Sequence, residues 1–273
     1  MNRQDTQTDS ERVRFESVMF EETERPGEAI FTDDIDLISH RYYKAMTHCE
    51  DKLVLEVGAG SNLGKEEIIA LSKKYVGIDV SEENLKQLRT RGYGREVSFF
   101  NMDAHNMNFE SGSFDVVIAL AMIYYLNSDK FLPEVKRILK PGGVLFFCTS
   151  NKEVPGFVES PSTTEYFNVN EWDGILSEQG FSSQFEGAFK RGSNSFSLRL
   201  FAFLKQISKV IVLKFLSGAD LWQKLRGSYK GEKMIIPDKL EKFPECKENS
   251  VVLDPKKIDK MHRVIYCLAK KAN

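Results

Sequence analysis

The chain has 273 residues, of which 41% are hydrophobic and 29% charged, and 38 basic residues nearly balance 40 acidic ones. This length suits one large α/β domain with a modest appendage, and the near-neutral charge lacks the basic surface that binding to nucleic acid requires. The four cysteines form no C-x-x-C pair, which predicts reduced thiols and no metal site. Because the polar N-terminus resembles no signal peptide and no stretch of eighteen apolar residues occurs, we expect a cytoplasmic protein without a spanning helix.

The N-terminal part divides into a tail and a helix. Residues 1–24 carry many charges and few aliphatic side chains, which predicts a flexible tail. Asp33–His48 is expected to be a helix whose apolar side chains share one face. That face is formed by Ile35, Ile38, Tyr42 and Met46.

The central part alternates short apolar runs with helical segments. Strands are predicted at Leu53–Val57, Tyr75–Val80, Glu96–Phe100, Phe114–Leu120 and Val144–Thr149. Helices are predicted at Gly64–Lys74, from Ser81 to about Arg89, and at Lys130–Leu139, with a tight turn at Pro141-Gly142-Gly143. This alternation favours a parallel sheet with helices on both faces.

The C-terminal part adds a helix, Val169–Gln179, and two strands, Phe181–Phe189 and Arg263–Ala269. Between these strands, residues 191–262 form an insertion without a Gly/Ser linker. We interpret it as a lid, substrate or dimerisation subdomain, attached to a main domain of residues 25–190 and 263–273.

One segment of the insertion, Leu198–Leu216, is an amphipathic helix by its pattern. Its apolar face carries Leu200, Leu204, Ile207, Ile211 and Phe215, opposite Arg199, Lys205, Lys209 and Lys214. A lid helix or a homodimer contact fits this pattern, and so does peripheral contact with a membrane surface.

A glycine-rich turn, Glu56-Val57-Gly58-Ala59-Gly60-Ser61-Asn62, follows the first central strand and precedes a helix. Gly58 and Gly60 would let the backbone approach a ligand closely. A G-x-G-x-x-G dinucleotide site is the alternative, but Gly64 comes one position too late for it. Glu56 would also repel a pyrophosphate, whereas a cationic ligand would tolerate it.

Two acidic residues follow the next two strands. Asp79 ends the second strand, where a carboxylate accepts both hydroxyls of a ribose. Asp103, followed by Ala104, comes just after the third strand, where the carboxylate and the next backbone N–H suit an adenine ring. Two further motifs follow, Phe114-Asp115-Val116-Val117 and Leu139-Lys140-Pro141-Gly142-Gly143.

Taken in order, these five motifs resemble the class I S-adenosylmethionine-dependent methyltransferases over about residues 50–150. The resemblance implies a Rossmann-like α/β sheet of seven strands in the order 3-2-1-4-5-7-6, with the last strand antiparallel. It also implies that the cofactor is S-adenosylmethionine, with S-adenosylhomocysteine as the product. The implied cofactor-binding residues are Glu56, Gly58, Ala59, Gly60, Asp79, Val80, Asp103, Ala104 and Leu120, the last near the sulfonium.

A closer resemblance concerns the methyltransferases of bacterial polysaccharide and secondary-metabolite clusters. It depends on residues 25–31, on His40-Arg41-Tyr42-Tyr43, and on Ser160-Pro161 before Tyr166-Phe167. It implies methyl transfer to a hydroxyl, and less readily to an amine, of a small-molecule or glycan-type acceptor.

Catalysis by such an enzyme depends mainly on alignment of the acceptor and on exclusion of water, while an oxygen acceptor also needs a base. His40, on the helix before the sheet, and Tyr124, after the fourth strand, are the candidate catalytic residues. The candidates for acceptor binding are Tyr42, Tyr43, Tyr125 and Asn151. Two alternatives remain at this point: a module that binds S-adenosylmethionine without turnover, and a nicotinamide-dependent oxidoreductase.

Overall fold

The computed structural model of the chain describes residues 29–60, 64–155, 157, 159, 163–190, 233–235 and 248–272. The predicted tail, residues 1–24, and the predicted amphipathic helix Leu198–Leu216 lie outside the described residues. Within the described part, no helix has the length and apolar character needed to cross a membrane.

The described residues form five α-helices and ten strands. Helices α1 to α5 span Thr32–Met46, Lys65–Leu71, Glu82–Arg89, Ser128–Ile138 and Val169–Glu178. Strands β1 to β10 span Ala29–Phe31, Leu53–Val57, Lys74–Asp79, Val97–Asn101, Phe114–Leu120, Leu139–Ser150, Phe181–Lys190, Lys233–Ile235, Val251–Leu253 and His262–Lys271. A short 3-10 helix, Ile123–Tyr125, lies between β5 and α4.

Eight of the described strands form the main sheet, in the order β4-β3-β2-β5-β6-β10-β7-β9. Strands β2 to β6 are parallel to one another, and β10 runs antiparallel to both β6 and β7. This confirms the predicted α/β fold and the order of the seven predicted strands. The predicted number of strands was too low, because β9, which falls within the predicted insertion, pairs antiparallel with β7 at the sheet edge. A separate ribbon pairs β1 with β8.

Helices cover both faces of the sheet, as the alternation of strands and helices predicts. The first apolar cluster contains buried side chains of α4 and α5, among them Phe131 and Trp172. The second contains side chains of α1, α2 and α3, among them Ile38, Ile68 and Leu85. Strand β5 contributes alternate residues to the two clusters, because successive side chains of a strand point to opposite faces.

Several predicted boundaries differ from the structure, and the two largest differences concern β6 and α2. Strand β6 begins at Leu139 rather than Val144, because Leu139 already pairs with Phe114 and the register shifts before the next pair, Val116 with Val144. Helix α2 ends at Leu71 rather than at Lys74, because Ser72 takes an extended conformation with ψ of 143°. Both differences come from pairing or backbone geometry that hydrophobic periodicity does not encode.

The parallel strands bring several polar and glycine residues to one edge of the sheet. Strands β2 to β6 all end at this edge, which we call the carboxyl edge, and register pairs Asp79 with Asn101 and Leu120 with Cys148. In open parallel sheets, ligands bind at the carboxyl ends of the strands. The candidate site is therefore expected there.

Candidate functional site

The glycine turn after β2 is tightly held by its neighbours. Gly58 and Gly60 have φ angles of 68° and 51°, in the left-handed region that favours glycine. Between them, the Ala59 amide donates a 2.9 Å hydrogen bond to the carbonyl of Ile78. The side chain of Met122 covers Gly58, since a β-carbon there would lie 2.9 Å from Met122 Cε. The turn is thus fixed against both β3 and the segment after β5.

Asp79 joins this turn to the end of β3. Its Oδ2 accepts a 2.7 Å hydrogen bond from the Gly60 amide, and its Oδ1 accepts one of 2.8 Å from the Ser81 amide. Burial raises the pKa of Asp79, and the two amides and the charge of Lys65 act in the opposite direction. The Asn84 side chain also donates to this carboxylate, whose two oxygens together still have room for a further donor. The geometry fits a ligand with two adjacent hydroxyls, such as the ribose of S-adenosylmethionine.

The loops beyond β3 and β4 place the other predicted cofactor residues on the same edge. Val80 is 49% exposed, which is unusual for a large apolar side chain next to a core strand, whereas Ala104 is buried. Asp103 Oδ1 accepts hydrogen bonds from the His105 amide and from His105 Nδ1. The Asn127 amide donates to His105 Nε2, which assigns the ring proton to Nδ1.

Glu56 occupies a different position from the one that a direct cofactor contact requires. Its carboxylate is 1% exposed, and it accepts hydrogen bonds from the hydroxyls of Tyr42, at 3.0 Å, and Tyr75. Burial and the charge of Glu56 raise the pKa of Tyr75 well above its usual range, so its hydroxyl remains a donor. Glu56 therefore lies beneath the glycine turn, where it is hydrogen-bonded to Tyr42 of α1 and to Tyr75 of β3.

A cluster of aromatic rings stands at the carboxyl edge beyond β5, which ends at the buried Leu120. Tyr124 stacks on Tyr166, with ring centroids 4.9 Å apart and planes 22° apart, and it also contacts Tyr125. Phe157 packs edge-on against Tyr166. We call these four rings the aromatic wall. The Tyr124 carbonyl accepts the Thr164 amide at 2.8 Å, so the loop before α5 holds the wall in place.

Tyr124 is not placed to act as a base. Burial, together with the neighbouring Tyr125 and Tyr166, raises the pKa of its hydroxyl well above the ordinary value, while Arg41 acts in the opposite direction. The hydroxyl therefore stays protonated at neutral pH. Its ring and its hydroxyl suit contacts with a ligand better than proton abstraction.

His40 lies in the core rather than facing a ligand. It is 1% exposed, and its Nδ1 is 2.7 Å from the Tyr266 hydroxyl on β10. Its ring also contacts Phe189 edge-on and is hydrogen-bonded to the backbone of Glu248. Burial lowers the pKa of His40, which keeps the ring neutral. This environment ties α1 to β7 and β10.

The predicted acceptor-binding residues are dispersed. Tyr42 is fully buried against Glu56, and its neighbour Tyr43 is 47% exposed on the outer side of α1. Tyr125 belongs to the aromatic wall. The Asn151 amide donates to the carbonyls of Asp259 and His262 and to the Asp259 carboxylate, and Asn151 Oδ1 accepts from Glu153. Asn151 therefore joins the end of β6 to the start of β10.

Sequence reasoning missed several residues of this site. Tyr75 and Lys65 support the glycine turn from below, and Tyr166 completes the aromatic wall. The sequence carried one usable signal, the tyrosine at position 75 near the start of β3, just ahead of Val76. The contact of Lys65 with Ala59 depends on the direction in which the lysine side chain turns, and that of Tyr166 with Tyr124 forms only when distant segments meet.

Comparisons with known proteins agree with this geometry. Residues 55–147 match the family model described as a methyltransferase domain. The phthiotriol/phenolphthiotriol dimycocerosates methyltransferase 1 of Mycobacterium ulcerans is 34% identical over 111 residues, which cover 39% of this chain and 41% of that protein. The ubiquinone biosynthesis O-methyltransferase of Nitrosococcus oceani is 26% identical over 161 residues, 58% of this chain and 68% of that protein. The matches span about half the length of most of these curated relatives.

Among solved structures, the YcgJ protein of Bacillus subtilis superposes with a TM-score of 0.55 at 15% identity. The match covers 86% of this chain and 99% of that protein. At this level of identity the similarity concerns the fold. It agrees with the strand order described above.

Proposed function

Residues 55–147 form a class I methyltransferase domain that uses S-adenosylmethionine, and from this premise we propose that the chain transfers a methyl group to a hydroxyl of a small-molecule or glycan-type acceptor. The observation that carries the proposal is the junction of the glycine turn with Asp79, where one carboxylate holds Gly60 and faces the edge at which β2 and β3 end. When bound, S-adenosylmethionine supplies an electrophilic methyl group on a cationic sulfur.

The residues at β2, β3 and β4 serve the nucleoside part of the cofactor in this proposal. Asp79 accepts the ribose hydroxyls with the carboxylate capacity that the Gly60 and Ser81 amides and the Asn84 side chain leave available. Val80 offers its exposed apolar side chain to the adenine, and the Asp103–Ala104 segment borders it. The amide–carboxylate bonds are formed within the protein itself, so little ordering is required when the ligand arrives.

The aromatic wall serves the methyl-transfer end. Tyr124 lies after β5, whose last residue Leu120 pairs with Cys148 of β6, and its ring would face the sulfonium and the acceptor. Aromatic faces stabilise cations by roughly 0.5–2 kcal/mol. The wall also excludes water, and alignment of the acceptor with the methyl group then supplies most of the rate acceleration.

The acceptor atom is an oxygen in this proposal. Support comes from curated relatives named as O-methyltransferases of ubiquinone biosynthesis. The glycan-type acceptor rests on the closer sequence resemblance described above. We assign His40 and Asn151 to the framework rather than to the acceptor, because their polar atoms bond within the chain.

One observation favours a second candidate, a module that binds S-adenosylmethionine without methyl transfer. The two residues predicted to be catalytic are a buried neutral His40 and a protonated Tyr124, and neither presents a base to an acceptor. Binding of S-adenosylmethionine without any formation of S-adenosylhomocysteine across phenolic, carbohydrate and amine acceptors would support this candidate over the enzyme.

A thermal-shift experiment tests the cofactor assignment first. Wild type and Asp79→Ala are heated with S-adenosylmethionine, S-adenosylhomocysteine or NADH. A ligand at about one hundred times its Kd adds about 2.7 kcal/mol to the free energy of unfolding, which is a readable change in Tm. We expect the first two ligands to stabilise wild type and to have little effect on the variant. Stabilisation by NADH alone would instead assign the glycine turn to a dinucleotide.

A further inference from the structure

A lysine lies fully buried directly beneath the glycine turn. Lys65 is the first residue of α2 and is 0% exposed. It follows Gly64, whose φ of 102° lies in the left-handed region that glycine readily adopts. Its Nζ donates a 2.5 Å hydrogen bond to the carbonyl of Ala59, the residue between the two glycines of the turn. A buried lysine is rare unless its charge is compensated.

The hydrogen bond from Lys65 is one of three that fix the glycine turn to neighbouring parts of the protein. The Ala59 amide donates to Ile78 of β3, the Gly60 amide donates to Asp79, and the Ala59 carbonyl accepts from Lys65. Of these three hydrogen bonds, the one from Lys65 has a side-chain ammonium as its donor, and it joins the turn to α2. Charge-assisted hydrogen bonds are about twice as strong as neutral ones.

The ammonium group also lies among acidic side chains. Burial lowers the pKa of Lys65 and the charge of Arg91 acts in the same direction, while the carboxylates of Glu56, Glu66 and Asp79 act in the opposite direction. Glu56 is itself buried under the hydroxyls of Tyr42 and Tyr75. Two carboxylates in a buried region would repel each other, and a cation beside them reduces that repulsion.

We propose that Lys65 is a positioning residue of the cofactor site: its side-chain nitrogen holds the Ala59 carbonyl and fixes the Gly58–Gly60 turn in its binding conformation. The proposal rests on the assignment of this turn to S-adenosylmethionine. Lys65 itself touches no ligand and acts through the turn and Asp79.

The test compares binding by isothermal titration of S-adenosylmethionine and S-adenosylhomocysteine to wild type, Lys65→Met and Lys271→Met. Lys65→Met keeps the length of the side chain and removes its charge. Lys271→Met is the matched control, because Lys271 Nζ also donates to carbonyls, those of Lys136 and Leu139 at 2.6 Å, on other elements. We expect Lys65→Met to weaken both ligands by about tenfold or more, and the control to stay within about twofold of wild type.

Chemical rescue separates positioning by charge from simple packing. In Lys65→Ala, propylammonium should restore at least about half of the lost binding free energy, whereas 1-propanol, which fills similar volume without charge, should not. Equal rescue by both compounds, or unchanged affinity in Lys65→Met, would overturn the proposal. If wild type itself binds neither ligand, the cofactor assignment fails instead, so the two failures are distinguishable.

If the variants do not fold, the proposal can be tested independently on the wild-type protein. With lysine labelled by ¹⁵N at the side chain, binding of S-adenosylhomocysteine should shift the ammonium resonance of Lys65, assigned by its slow proton exchange in a buried site. The resonance of Lys271 should stay in place. A Lys65 resonance that does not move on binding would contradict the coupling between this lysine and the turn.

Discussion

At the scale of single residues, the proposed cofactor site separates into groups that would contact a ligand and groups that support them. Asp79 and the aromatic wall belong to the first kind, while Glu56, Lys65 and Tyr75 belong to the second. The separation follows from burial, since Glu56 and Tyr75 are each 1% exposed and Lys65 is 0% exposed. Such support matters because a site displaced by about 1 Å loses much of its catalytic advantage.

Tyr124 offers a residue-scale prediction that needs no knowledge of the acceptor. Replacement of Tyr124 by leucine removes an aromatic face from the sulfonium, and we expect the affinity for S-adenosylmethionine to fall by about tenfold. The affinity for S-adenosylhomocysteine, whose sulfur is uncharged, should change little. Isothermal titration of both ligands measures the difference.

Tyr124→Phe is the matched control for this measurement. It keeps the ring that stacks on Tyr166 and removes only the hydroxyl. We expect it to bind both ligands nearly as wild type does. An equal loss for both ligands in Tyr124→Leu, or a Tyr124→Phe variant as weak as the leucine variant, would rule out a role for the ring in recognising the sulfonium.

At the scale of elements, the close approach of β3 to the glycine turn limits what either can tolerate. Gly77 lies in the middle of β3, paired with Glu56 of β2 and Phe99 of β4. A β-carbon added there would lie 2.8 Å from Phe99 Cδ1 and 2.9 Å from Ala59 Cβ. The absence of a side chain at Gly77 is therefore what allows Ala59 to sit against the sheet.

This packing predicts that Gly77→Ala destabilises the protein by about 1–3 kcal/mol, as overpacked cores usually do. Because Ala59 must move, affinity for S-adenosylmethionine should fall as well. Urea unfolding and ligand titration provide the two readouts. Gly174→Ala is the control, since a β-carbon at this position in α5 meets nothing within 4 Å and should add about 0.4–1 kcal/mol of stability. A neutral Gly77→Ala would mean that the turn does not pack as described.

The prediction of individual elements succeeded where the signal is local. Helix α3 starts at the predicted place, with Ser81 as its N-cap and the Asn84 amide donating to the Ser81 hydroxyl. Strands β2 and β5 have the predicted bounds. The edge strand β9 was not predicted, because three residues are too short for periodicity to mark. Its existence depends on β7 offering a free edge to residues 251–253.

At the scale of the whole molecule, two histidines connect stability to pH. Burial lowers the pKa of His40 and of His48, with Lys44 acting in the same direction and Glu186 in the opposite one; Glu248 also faces His40 and acts against burial. His40 joins α1 to β10, and His48 packs against Phe146 of β6. Both rings are therefore more readily protonated in the unfolded chain than in the folded one.

The sign of the pH effect follows from proton counting. Below the ordinary histidine pKa of about 6.5 the unfolded chain binds more protons than the folded chain, so the free energy of unfolding falls as the pH drops. The loss should begin near pH 6.5 and continue down to the lowered pKa values, with no contribution from these groups above that range. Urea unfolding between pH 5 and 8 measures it.

A double variant, His40→Gln with His48→Gln, identifies the source of this dependence. Glutamine keeps hydrogen-bonding capacity and does not titrate, so the slope between pH 5 and 6.5 should become clearly shallower than in wild type. If the slope stays the same, protonation of these two rings does not govern stability in that range, and other groups carry the dependence.

The sequence by itself determined the order of strands and helices and the type of fold, because each strand or helix carries its own period and the motifs lie at the strand ends that a parallel sheet gathers on one edge. It also selected Gly58, Gly60 and Asp79, because each follows or ends a predicted strand and a parallel sheet gathers those strand ends on one edge. Only the tertiary structure decided that Glu56 is held by Tyr42 and Tyr75, that His40 lies against Tyr266, and that Lys65 lies beneath the turn. Some of those contacts join segments that are distant in the chain, and others depend on the direction in which a side chain turns. Neither composition nor motif spacing specifies which of these contacts form.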